Sequence, residues 1–220
     1  MATFEDMLDA QRRRVFKDGQ NLSDGIRAST KRQQVKHLLE SPSLQYIKVG
    51  DNEDDVPCIV SNEQTFLERR FLFLPDTDIR NGEYIHHQGF IYLVTDVTLD
   101  DIYPQAFGTI CPEIFKVQIG TEKMQTGVDN YGRPEYEEVP IYLEKPCTYT
   151  TKAYSTAENA AVPLPDGVAD LQIPYSEDYK VLPNYTTEYH GEKFTVTTVS
   201  YEHVIQKVGY IKIRLQRVVE

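Results

Sequence analysis

Residues 81–97 read NGEYIHHQGFIYLVTDV, and whether this stretch is a histidine site or a β-hairpin decides how the rest of the chain is read. His86 and His87 are neighbours, and consecutive side chains on a strand leave opposite faces, so they cannot easily bind one metal together. The spacing to His37, His190 and His203 resembles no zinc motif. A hairpin accounts for the residues without chemistry: Gly89 supplies a turn, and Tyr92, Val94 and Val97 then point to a core.

A second stretch has the same pattern. GFIYLVTDV at 89–97 and GEKFTVTTV at 191–199 both fit G-x-x-aromatic-x-V-T-x-V, and at the same offset of 102 Asp76 falls on Asp178 and Ile79 on Val181. Each continues to a glycine, Gly108 or Gly209, before a final strand. Either the chain is internally duplicated or two hairpins share the same turn chemistry.

Working outward, short apolar runs between turn residues fill the chain from Ser43 on. The expected strands are LQYIKV, VPCIVS, TFLERRFLFL, GEYIHH, FIYLVTDV and EIFKVQI, then LQIPY, YKVLP, EKFTVTTVS and GYIKIRLQRV. Fifteen Tyr and nine Phe against no Trp suit pleated, half-buried surfaces. The fold class expected is mainly β: two small β-barrel or sandwich units, an N-terminal helical segment and a long exposed hairpin. The division expected is a helical arm at 1–42, a first β unit at 43–120, a hairpin at 121–145 and a second β unit at 146–220. Residues 154–170 read as a loop or linker.

The arm reads as one helix from Thr3 to Gly19, with acids early and arginines late, and a short second helix over 31–41 stopped by Pro42. Phe4 and Leu8 lie near one face, followed by Arg12, Arg13 and Arg14. Such a helix either packs back onto its own domain or docks on a partner.

Net charge is −11, yet residues 11–37 hold eight Arg or Lys against two Asp, about +6, leaving about −17 elsewhere. That balance disfavours tight sequence-specific DNA binding. Cys58, Cys111 and Cys147 form no C-x-x-C pair and read as free thiols from a reducing compartment. The acidic first residues and the lack of a long apolar run predict a soluble protein without a standard secretion signal. No nucleophile elbow or phosphate loop is present, and acid runs such as GDNEDD read as solvated loops. No catalytic, cofactor or metal residue is assigned.

The run RRFLFLPDTDIRNGEYIHHQGFIYLVTDVTLDDIYPQAFGTICPE resembles structural neck proteins of tailed phages and prophages of Gram-positive hosts, the head-to-tail connector and head-closure (stopper) proteins. The likeness is carried by Pro75 and Asp76, Gly82 to Tyr84, Tyr92 to Thr95, Asp101 to Pro104 and Cys111, and loosely by GYIKIRLQRV at the end. It implies a non-enzymatic virion protein, made in the host cytoplasm, that self-associates into a ring between portal or adaptor and tail. Phage DNA would pass through without sequence-specific binding. Phe4, Leu8 and Arg12 to Arg14 would meet the neighbouring ring, and Asp129, Asn130, Tyr131 and Arg133 would form a lumen or inter-subunit loop. Alternatives are a tail-side part (tail terminator or baseplate adaptor), a carbohydrate-binding β module that uses the tyrosines, and a carboxylate hydrolase.

Overall fold

The computed structural model describes residues 22–50, 54–63, 65, 67–98, 100, 102–128, 131, 133–151 and 167–218. The expected Thr3–Gly19 helix, with Phe4, Leu8, Arg12, Arg13 and Arg14, lies outside them, as do Asp129, Asn130 and most of the 154–170 segment.

One helix is described, α1 (Leu22–Leu39), with Asp24 in its first turn and Lys36 and His37 in its last, complementing the helix dipole. It starts nine residues earlier than the expected 31–41, because Ser23, Gly25, Ser29 and Thr30 weaken local helix propensity while Gly25 and Leu38 are buried against the fold. Ser41 N–H bonds the Leu38 carbonyl, and Pro42 prevents continuation.

Among the described residues thirteen strands follow: β1 (Leu44–Val49), β2 (Asp55–Asn62), β3 (Glu68–Phe73), β4 (Tyr84–His87), β5 (Phe90–Thr98), β6 (Gln105–Ile110), β7 (Glu113–Val128), β8 (Pro134–Thr150), β9 (Val168–Pro174), β10 (Thr186–Tyr189), β11 (Glu192–Ser200), β12 (Val204–Ile205) and β13 (Val208–Arg217). The first six close into a barrel in the order β1-β2-β3-β6-β5-β4. The others form a second sheet in the order β7-β8-β9-β13-β11-β10, with the two-residue β12 beside β13. Strand for strand the orders are the same once β12 is set aside.

The likeness extends to single hydrogen bonds. Gly82 N–H donates to the Val94 carbonyl at 2.8 Å, and 102 residues on Asn184 N–H donates to Val196 at 2.9 Å. Val94 donates to Glu83 as Val196 does to Tyr185, both at 2.9 Å, and Glu83 to Arg80 as Tyr185 to Leu182, at 3.3 and 3.4 Å. The β4–β5 pairs Tyr84 with Leu93 and Ile85 with Tyr92 recur in β10–β11 as Thr186 with Thr195 and Thr187 with Phe194. Both hairpins turn through two residues of positive φ, Gln88-Gly89 (50° and 80°) and His190-Gly191 (53° and 80°), the geometry that matches strand twist. The two halves are structural repeats, so the 102-residue offset marks more than shared turn chemistry.

Packing divides the chain differently from sheet order. One compact unit comprises 1–79 with 96–107, the other 80–95 with 108–220. In the first, Ile47, Val49, Cys58, Phe71, Phe73 and Ile79 are buried. The core of the second gathers Phe115, Val117, Leu171, Ile173, Phe194, Val196, Ile211, Ile213 and Leu215. Several expectations need correction. Residues 113–119, placed in the first β unit, pair with β8 instead, because they run without a break into the long hairpin. YKVLP is no strand but makes one isolated bridge, Lys180 to Gln118. Gly108 and Gly209 lie inside β6 and β13 rather than before them.

Candidate functional site

Two repeats of one plan share what the fold requires, and what only one carries is open to function. The β1–β2 pair of the first repeat spans six and eight residues. Its counterpart β7–β8 runs sixteen and seventeen, and forms the long hairpin. The base of this ribbon belongs to the core, with Phe115, Val117 and Cys147 buried. Opposed residues in an antiparallel pair share a face. Beyond Val117 and its partner Leu143, that same face therefore carries Ile141 opposite Gly120, Val139 opposite Glu122 and Met124 opposite Glu137. Leu143, Ile141, Val139 and Met124 are 38 to 56% exposed, a stripe continuous with the core face but left in solvent. A two-stranded ribbon is marginal in water by itself.

Both ribbon edges are blunted. β7 carries an extra residue twice, Ile119 between Gln118 and Gly120 and Thr126 between Gln125 and Gly127. Each extra residue breaks the regular row of edge groups, and in each Gln-x-Gly the Gln Nε2 donates to the Gly carbonyl, at 3.3 and 3.4 Å. On β8, Pro134, Pro140 and Pro146 lie six residues apart and so present the same edge. The Pro146 carbonyl accepts the Tyr84 hydroxyl, which marks that edge as the one turned from β7. Proline there offers no N–H to an added strand.

At the tip, Tyr131 is 88% exposed and Arg133 is also exposed; they are the two residues of the expected lumen loop that are described. His86 is exposed and His87 buried, as the strand alternation required. Among the described residues no group of three or more His, Cys, Asp or Glu is placed to hold a metal ion. Burial pushes the thiols of Cys58, Cys111 and Cys147 up to about 12, so all three are protonated and poorly nucleophilic near neutrality. Burial also raises the Tyr84, Tyr179 and Tyr189 hydroxyls. Sequence reading assigned these tyrosines no hydrogen-bonding role. They are structural clasps: Tyr84 donates to the Pro146 carbonyl, Tyr179 to Pro174, and Tyr189 to Ile114 at 3.2 Å.

Tyr189 belongs to a set that brings the two outer strands of the second sheet together. His190 Nε2 lies 3.3 Å from Glu113, and Lys180 N–H donates to the Gln118 carbonyl at 3.0 Å. Two side-chain contacts and one isolated backbone bridge thus stand where the closed barrel has a ladder. An open groove of about 410 Å³ lies where β7 leaves this seam, lined by Gln118 to Thr121 and Glu177 to Lys180. The tyrosine in its wall, Tyr179, is buried with its hydroxyl turned to Pro174, so it offers no free ring face for a sugar to stack on.

The fold and this ribbon define a tandem β-repeat protein whose distinguishing element is an exposed hairpin. The chain is 30% identical over 148 residues to the SPbeta prophage-derived uncharacterized protein YomX of Bacillus subtilis (strain 168), covering 66% of this chain and 68% of that protein. It belongs to that protein's family, one with a prophage-derived member in a Gram-positive host. No family model and no solved structure matches it. Among the described residues no helix is long and apolar enough to cross a membrane.

Proposed function

We propose that this chain is a non-enzymatic virion protein of a prophage-type particle, a head-to-tail connector or head-closure component that forms a ring between portal or adaptor and tail. The observation that carries the reading is the β7–β8 ribbon: an apolar stripe exposed along a hairpin whose edges resist strand addition suits an element that is buried on assembly. The prophage-derived relative supports the setting. A net charge of −11 suits a protein that lets DNA pass without holding it.

Native mass spectrometry of the full chain mixed with the portal, adaptor and tail proteins of its own prophage tests this. The expected result is a multi-copy complex on the portal or adaptor. A complex with tail proteins alone selects a tail-side part instead, and absence of any complex overturns the assignment.

A further inference from the structure

We propose that the acidic, apolar-striped face of the β7–β8 ribbon docks on the outer face of helix α1 of a second copy of this chain; the proposal rests on the ring reading above, which supplies the second copy. The blunted edges direct a partner to the face of the ribbon, since bulges and prolines leave no regular row of backbone donors and acceptors. On that face Met124, Val139 and Ile141 lie among the exposed carboxylates Glu122 and Glu137. The complementary surface is therefore basic with an apolar residue in it.

Helix α1 has that composition. It holds four Arg or Lys against one Asp. Its exposed residues Arg32 and Lys36, the latter 3.8 Å from Glu40, are one turn apart, and exposed Ile26 lies nearer the N-terminal end of the same helix. The spacings also match. Glu122 and Glu137 occupy a diagonal position across the ribbon, about 7 Å apart, and Arg32 and Lys36 are one turn apart, about 6 Å. Two carboxylates can meet two cations across such a contact. Ribbon and helix are different surfaces, so the contact is head-to-tail and leaves each copy with one ribbon and one helix to offer, the arrangement that propagates into a ring.

Sedimentation velocity of the full chain, alone and with portal, at about 50 mM salt where screening is weak, tests the contact. E122K/E137K and R32E/K36E should each weaken self-association about tenfold or more. An equimolar mixture of the two variants should recover it, because every ribbon then finds a helix of opposite charge. Recovery also shows that both variants are folded and that the pairing runs between copies. Reversals without effect, a mixture that stays dissociated, or a wild type that is monomeric both alone and on portal overturn the docking. Assembly on portal that ignores the reversals overturns the docking but leaves the ring reading standing, whereas no association with any neck or tail protein removes the ring reading itself.

Discussion

Where the first repeat has Gly82 the second has Asn184, both with positive φ and both donating to a valine carbonyl of the neighbouring strand. The backbone demand is the same, and asparagine meets it because its short polar side chain tolerates the left-handed region. Gly82 has a further constraint: a Cβ built there would overlap the Gly209 carbonyl oxygen. One repeat position thus needs only a conformation, and the other needs that conformation and the absence of a side chain. The ribbon teaches the same lesson on a larger scale, since β1–β2 satisfies the fold and β7–β8 does more than the fold asks.

The sharpest way to break the equivalence is Gly82→Asn. Although its counterpart is asparagine, the clash should cost about 4 kcal/mol or prevent folding, while Asn184→Gly should cost about 0.5 kcal/mol, both read from chemical denaturation. Equal losses would deny the close approach at Gly82. Next in size, Tyr92→Ala and Phe194→Ala remove matched buried rings, 3% exposed each, and should both cost about 3–4 kcal/mol in the same assay. A loss at one position only would show that the repeats share topology without sharing energetics.

Smaller and matched effects are expected at the turns. Gly89→Ala and Gly191→Ala each place a Cβ in open space at φ 80°, so only the backbone penalty of about 1 kcal/mol should appear, equally in both. The thiols distinguish the units by pH. A thiol whose folded pKa is raised contributes stability that is complete below its unfolded value and is lost as pH rises through the folded one. Thermal melts should therefore decline as pH climbs from about 9 towards 12. Replacing Cys111 and Cys147 of the second unit by Ala should flatten that decline more than replacing Cys58 of the first. The least effect on folding is expected from trimming the ribbon, by joining Gln118 to Tyr142 through a two-residue turn as short as those at Gln88 and His190. The melting temperature should stay within a few degrees because this segment is largely exposed, and self-association should be lost.

In each repeat the turn glycine and the strand that follows it were legible in the sequence, because the glycine, an aromatic and the valines point to one local structure. So was the exposed hairpin, from its prolines and the alternating Val139, Ile141 and Leu143. β6 (QAFGTI) and β10 (TTEY) were not: one contains a glycine, the other is almost wholly polar, and each is a strand because neighbours supply its hydrogen bonds. Of the nine residues expected to meet partners or line a channel, Tyr131 and Arg133 are described and exposed at the tip of the ribbon, and the other seven lie outside the described residues. The face proposed for docking was not legible. Glu122 and Met124 carry no local signal, and only register sets them beside Val139 and Glu137.

By itself the sequence determined the strands that announce themselves locally, the 102-residue offset, and the charge contrast between a basic N-terminal segment and an acidic remainder. Strand order, the closure of one sheet by a ladder and the near-closure of the other by Tyr189, His190 and Lys180 were decided by tertiary structure. The physical reason is that side-chain periodicity is a property of neighbours along the chain. Pairing, burial and the exposure of a stripe that continues a core depend on residues far apart in it.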